Sequence, residues 1–206
     1  MIDIEKVIKE AKEVLANGGV ILYPTDTVWG LGCDATNPVA VEKIYSIKKR
    51  ADSKALVLLA SSLEMVARYV KDIPEMAAQL VEVNDSPMTI VYPEGICAKP
   101  AREGGEVVVD RHFLARNVVA EDGSVAIRVP MNEFCRNLAF KLGRPVVSTS
   151  ANISGMPAPK KFRDIPEEIV SAVDYVVPAP LEKESTGQPS QIIRVELDGQ
   201  VKIIRA

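Results

Sequence analysis

Four short stretches of this chain gather side chains that could do chemistry. The first is Thr25-Asp26-Thr27, two hydroxyls and a carboxylate placed just after the apolar run Val20-Ile21-Leu22-Tyr23 and Pro24. A run of that length reads as a buried strand, ended by a proline that has no N–H for a ladder. Ligands in open α/β sheets sit outside the carboxyl ends of such strands. Gly30 and Gly32 follow, able to take backbone angles closed to other residues; by itself the segment is equally a turn rich in Thr, Asp and Gly. The second stretch is Lys48-Lys49-Arg50. Lysine offers a point charge and arginine a planar fork, but the plain reading is a solvated basic helix end, favourable against the helix dipole. The third is Ser148-Thr149-Ser150-Ala151-Asn152-Ile153-Ser154-Gly155, small polar residues that also suit a simple turn. The fourth is Arg128 in VAIRVP. A lone charge on an otherwise apolar strand is expensive to bury unless paired, so Arg128 is either half of a structural ion pair or a ligand group.

Several other chemistries are excluded. The single histidine, His112, stands in an irregular stretch, so no Ser-His-Asp or Cys-His site is credible. No His/Cys cluster has zinc spacing, and there is no GxxxxGK(S/T) loop. The three cysteines, Cys33, Cys97 and Cys135, form no CxxC pair and no disulfide framework, as expected in a reducing compartment. Cys33 reads as a packed thiol. The net charge of −3 gives no global positive field for nucleic acid. No run is long and apolar enough for a membrane span, and the N-terminus lacks a signal-peptide core. The expectation is a soluble, cytoplasmic protein with no membrane contact.

The elements that must position these residues alternate. Asp3 caps a first helix with Ile4, Val7, Ile8, Ala11 and Leu15 on one face, closed at Gly18. Asn37-Pro38 starts a second helix, with Val41, Ile44, Tyr45 and Ile47 marking a face. Buried strands are read at 55–60, 88–92, 124–129 and 145–149. Helices follow Ser62 and Pro74, Asn132 caps another that Gly143 stops, and a short one follows Pro166. A strand at 175–177 and a final hairpin over 191–205, turned at Asp198-Gly199, complete the chain. Residues 93–124 form a long irregular insert, with an alternating piece at 106–110; such inserts are usually functional or mobile. The class is α/β with a mixed sheet, and a single domain over 1–206 is expected.

The stretch YPTDTVWGLGCDA closely resembles the PT(D/E)TVYGLG signature of the YrdC-type family, the threonylcarbamoyl-AMP synthases. Lys48 and Arg50 match that family's KxR motif, and Ser150 and Asn152 match its SxN motif. In the tail, Ser190 and Arg205 are retained from the pattern PSTVVD followed by ilRpG, while Gln191 replaces Thr. The resemblance covers nearly the whole chain and implies a twisted mixed β-sheet flanked by helices around one large positively charged cleft. It also implies the single-domain form, without the additional C-terminal domain that some relatives carry.

On that resemblance Lys48 and Arg50 hold nucleotide phosphates and serve catalysis. Ser148, Ser150, Asn152 and Arg205 complete the ATP site. Thr25, Arg128 and Ser190 bind the amino acid, with Arg128 on its carboxylate. The implied reaction joins L-threonine, bicarbonate or CO2, and ATP into threonylcarbamoyl-AMP and pyrophosphate, which feeds tRNA threonylcarbamoyladenosine formation with the proteins of that transfer step. Mg2+ is implied only as a bridge between ATP oxygens, with no metal-ligating residues. Leu59 stands where many synthases have a pocket histidine, which points to altered amino-acid selectivity and toward a YciO-like enzyme on a related adenylate. A further alternative is a double-stranded RNA-binding or ribosome-associated translation factor, with tRNA contact, using Lys48, Lys49, Arg50, Lys54, Lys160, Lys161 and Arg163.

Overall fold

The computed structural model of the chain describes residues 2–49, 56–98 and 109–206. Helix α1 (Ile4–Ala16) starts where the Asp3 carboxylate accepts the Lys6 N–H at 3.1 Å, and it buries Val7, Ile8, Ala11 and Leu15. Strands β1 (Ile21–Tyr23) and β2 (Gly30–Gly32) flank the signature turn. Helix α2 (Pro38–Lys48) opens with Asn37 accepting from the N–H groups of Val39 and Ala40, and it ends because Lys49 takes a left-handed conformation at φ 50°. Strand β3 (Val57–Leu59), helices α3 (Leu63–Ala67) and α4 (Glu75–Val83), and strand β4 (Met88–Tyr92) follow. After the insert come β5 (Val125–Arg128), α5 (Glu133–Leu142), β6 (Val146–Ser150), α6 (Glu167–Val170), β7 (Tyr175–Val176), β8 (Gln191–Val195) and β9 (Val201–Arg205).

Among the described residues the strands form one nine-stranded mixed sheet in the order β7-β1-β2-β6-β3-β5-β4-β8-β9. The pairs β1–β7, β3–β5 and β4–β8 are parallel, and the others are antiparallel. Helices α1 and α5 pack against each other, α1 touching β1 and α5 touching β3. Register then fixes what each face carries. Gly30 pairs with Ser150, Val57 with Ser148 and with Ala126, and Leu59 with Arg128. Val91 pairs with Ala126, Thr89 with Ile192, and Ile192 with Arg205. These residues therefore share one face. The alternate positions, Leu31, Val147, Leu58, Ile127, Ile90 and Ile193, supply the other face and are buried in the core.

Two sequence expectations change. The Gly30–Gly32 segment is a strand, and neither glycine has a positive φ. Space is the requirement: a Cβ on Gly32 would lie 2.6 Å from Tyr23 Cε1 and 3.0 Å from the Val147 carbonyl oxygen. Within the insert, the described parts are irregular but tied down. Ile96 N–H donates to Tyr69 O at 2.8 Å and Ala115 N–H to Ala35 O at 2.9 Å, both in the body, while Gly95 N–H donates to Gly123 O at 2.9 Å inside the insert. Most of the alternating piece at 106–110 lies outside the described residues.

Candidate active site

The shared face carries a cleft of about 460 Å³ whose walls include Thr27, Gly30, Val57, Arg128, Ser148, Ser150, Asn152, Ser190, Ile192 and Arg205. Residues from six separated stretches of sequence thus meet here, and three of the four stretches singled out by their chemistry are among them. Among the described residues that line it there is no Asp or Glu, while two guanidinium groups are present. A larger depression of about 680 Å³ beside α2 is lined by none of the candidate site residues. Convergence of polar groups, not size, marks the cleft.

Arg128 sits on β5 with its guanidinium buried. Nη1 donates to Asp26 Oδ1 at 2.5 Å and Nη2 to Thr27 Oγ1 at 3.3 Å. The other Asp26 oxygen accepts the Met131 N–H at 3.0 Å. Arg128 is therefore both half of a structural ion pair and a wall of the cleft. Its N–H groups outnumber these two partners, and Nε has no hydrogen-bond partner. Thr25 does not line the cleft. Its hydroxyl donates to Val28 O at 2.8 Å, so the 2.8 Å contact with Thr27 Oγ1 takes the Thr27 proton. Thr27 then accepts from Arg128, and the turn hydroxyls form a directed chain one residue behind the cleft wall.

The Ser150–Asn152 turn is built from within. Ser150 Oγ donates to Asn152 Oδ1 at 2.5 Å, and the Asn152 amide donates to Ile153 O at 3.1 Å and Met156 O at 2.5 Å. Lys48 lies behind this turn, buried, and does not line the cleft. Its ammonium donates to the carbonyl oxygens of Ser150 and Asn152, the latter at 2.7 Å, and lies 3.3 Å from Asn152 Oδ1. Here the solvated-helix-end reading is corrected for Lys48. Val41, Ile44, Tyr45 and Lys48 are spaced i, i+3, i+4, i+7, so Lys48 extends the buried stripe of α2. Only Lys49 behaves as a solvated end, paired with Glu168 at 2.9 Å. Arg50 lies outside the described residues.

Ser148 lies beside the fully buried Tyr23, whose phenol burial pushes well above its ordinary pKa and whose hydroxyl donates to Val147 O at 3.3 Å. On the far wall, Ser190 Oγ is 2.8 Å from Thr89 Oγ1. Arg205 grips the Ser190 carbonyl through Nε at 3.0 Å and Nη2 at 2.7 Å. Desolvation, then the nearby Arg128 charge, lower the Arg205 pKa. Leu59 is buried opposite Arg128 in register and is not part of the cleft lining. Sequence reasoning gave no ligand-site role to Thr27 and no partner to Asp26. Their signal was strand alternation plus a buried arginine in need of a carboxylate.

Other expectations are also placed. Burial, reinforced by the Asp34 charge, raises the Cys33 thiol, which fits a packed residue and not a nucleophile. The RNA reading finds no support. Of its seven basic residues, Lys48 is buried against carbonyls, Lys49 is paired, Arg163 is 3.8 Å from Asp164, and Arg50 and Lys54 lie outside the described residues. Among the described residues no helix is long and apolar enough to cross a membrane.

This sheet, with a polar cleft on one face and the PTDTVWGLG turn at its rim, defines a class. The chain matches the Sua5/YciO/YrdC family model, described as telomere recombination, over residues 13–206. It belongs to that family. It is similar to P. abyssi Sua5 complexed with L-threonine, at 27% identity and a TM-score of 0.75, across 95% of this chain and 52% of that one. It is similar also to the solution structure of MTH1692 from Methanobacterium thermoautotrophicum, at 27% identity and a TM-score of 0.64, across 96% and 85% of the two chains. E. coli YciO shares the fold at 24% identity and a TM-score of 0.72, across 98% and 89%. The chain spans about half the length of the Sua5 chains it matches.

Proposed function

We propose that the protein is an L-threonylcarbamoyladenylate synthase. The observation that carries this reading is the register that sets Arg128, Ser148, Ser150 and Arg205 on one face around one cleft, with no carboxylate among its described lining residues. Such a cleft suits an anionic nucleotide and an amino-acid carboxylate. The neighbouring P. abyssi Sua5 was solved with L-threonine, the amino acid the reading requires.

In this reading the threonine amine and CO2 form a carbamate. One carbamate oxygen attacks the ATP α-phosphorus, and pyrophosphate leaves with the electron pair of the broken P–O bond. The protein's work is alignment and charge neutralisation. Arg128 takes the threonine carboxylate with the N–H groups left over from Asp26 and Thr27. Arg205 and the 148–152 turn take the nucleotide, while Lys48 sets that turn from behind. Arg50 keeps its expected role at the phosphates. Asp26 does not fit a Mg2+ ligand, because Arg128 and the Met131 amide engage its two oxygens. Among the described residues no cluster of three or more His, Cys, Asp or Glu could hold a metal. In this reading Mg2+ accompanies the triphosphate as part of the substrate.

The test is incubation with ATP, bicarbonate and each amino acid in turn, following pyrophosphate and the carbamoyl adenylate. Pyrophosphate release dependent on L-threonine supports the reading. Release with a different amino acid moves it to a related adenylate, and release with none overturns it.

A further inference from the structure

The wall of the cleft formed by Met156, Ala158, Pro189 and Ser190 comes from two segments that are distant in sequence. Both are fastened to the signature stretch at one carboxylate. Glu182 Oε2 accepts the indole N–H of Trp29 at 2.6 Å and the backbone N–H of Phe162 at 2.9 Å. The Trp29 and Phe162 rings stand 5.0 Å apart, tilted by 51°. Trp29 is fully buried. Past Glu182 the chain crosses the signature turn in a series of ties. Ser185 Oγ donates to Thr27 O at 2.8 Å, Thr186 N–H to Asp26 O at 3.1 Å, and Gly187 N–H to Thr27 O at 2.7 Å. The strap then delivers Pro189 and Ser190 to the cleft. Phe162 lies four residues beyond Ala158 on the other segment.

We propose that Glu182 is a positioning residue that sets this wall by fastening segments 156–162 and 182–190 to the indole of Trp29. The inference rests on the cleft being the nucleotide site. A single charged acceptor serving two donors is stronger than a neutral one. It also leaves both an indole N–H and a backbone amide unpaired when it is removed. Neither segment has a strand or long helix between its cleft residues and this carboxylate. The 182–190 strap is held further by the Ser185, Thr186 and Gly187 ties, whereas Glu182 is the group that joins it to segment 156–162.

Trp29 is the chain's single tryptophan, so its emission reports on this contact. The experiment compares the full chain with Glu182→Ala and Glu182→Gln by amide hydrogen exchange, indole fluorescence and ATP calorimetry. In Glu182→Ala, exchange is expected to speed up in both segments together while β5 and α5 stay unchanged, and the emission to move to the red. The ATP Kd is expected to rise about tenfold, the scale of one lost bond to a charged group. Glu182→Gln, which keeps an acceptor oxygen, is expected to fall between wild type and Ala in all three. Exchange that rises in one segment only, or in neither, overturns the proposal. So does an ATP Kd that stays fixed while both segments loosen. Should Glu182→Ala unfold globally, the Gln variant decides by the same criteria. A wild-type chain that binds no ATP overturns the nucleotide reading, whereas the exchange and fluorescence results still decide whether Glu182 fastens the wall.

Discussion

Arg128 and Asp26 form a buried ion pair, and in the proposed reading the same Arg128 also recognises the threonine carboxylate. Breaking a buried ion pair from one side leaves an uncompensated charge, at a cost of about 3–5 kcal/mol. Asp26→Asn is thus expected to lower the urea midpoint sharply, with the loss read by equilibrium denaturation. Arg128→Lys keeps the charge but loses the fork. It is expected to raise the L-threonine Kd far more than the ATP Kd, as two calorimetric titrations would show. Equal effects on both ligands would remove Arg128 from the amino-acid side. At the turn, Asn152→Ala leaves Ser150 Oγ and the Met156 carbonyl without their partner. Both bonds are only part-buried, so each lost bond costs about 1 kcal/mol, and both stability and ATP affinity should drop. Unchanged ATP affinity in a destabilised variant would leave the turn a purely structural one.

Among the elements, β1, β2 and β6 depend on a close approach that only glycine permits. Gly32→Ala drives a Cβ into the Tyr23 ring, and overpacking of this kind costs about 1–3 kcal/mol. Gly30→Ala meets Ser148 Oγ and Thr149 O only at 3.4 Å. It should leave the urea midpoint nearly intact, and a nucleotide titration should show the larger effect. At the sheet's edge, the Tyr175 hydroxyl of β7 donates to Glu10 of α1 at 2.9 Å. Burial first, then this bond and the Glu10 charge, raise the Tyr175 pKa from 10.0 to about 12. A raised pKa means stability fully present below pH 10 and lost as pH climbs toward 12. Denaturation across that range should therefore show a falling stability that Tyr175→Phe flattens.

Much of this was legible in the chain. Asp3, Asn37, Ser62 and Asn132 each cap the helix their side chains foretell. Strand β4 spans the MTIVY run itself. Strand β2 was not legible, because two glycines in three residues carry no strand propensity and their reason lies across the sheet in Tyr23. The orientation of Lys48 is missed by the plain reading of a solvated helix end, although its spacing from Val41, Ile44 and Tyr45 puts it on the buried stripe, and the carbonyls that receive it are a hundred residues away. The Asp26–Arg128 pair is equally remote in sequence, so alternation could say that Arg128 needed a partner and not which one.

At the scale of the whole molecule, the mixed sheet performs one operation. It lays polar residues from β4, β5, β6 and the β8–β9 hairpin along one face and seals the other with helices. Arg194 ties that hairpin to the 120–124 turn through Asp122 at 2.7 Å, alongside Glu196 at 2.6 Å. Hydrogen bonds from Ser124 and Arg194 hold the Asp122 carboxyl near 2. A depressed carboxylate pKa contributes above its ordinary 3.8 and is lost as pH falls toward 2, so this tie persists through mildly acidic conditions. The central claim is that this face joins a carbamate to the α-phosphorus of ATP. The most direct measurement supplies the chain with ATP, L-threonine and carbon-13 bicarbonate and weighs the nucleotide product by mass spectrometry. The account predicts an AMP adduct that carries both the threonine and the labelled carbon, with pyrophosphate in equal amount. A labelled adduct without threonine, or no adduct while ATP remains intact, would contradict it.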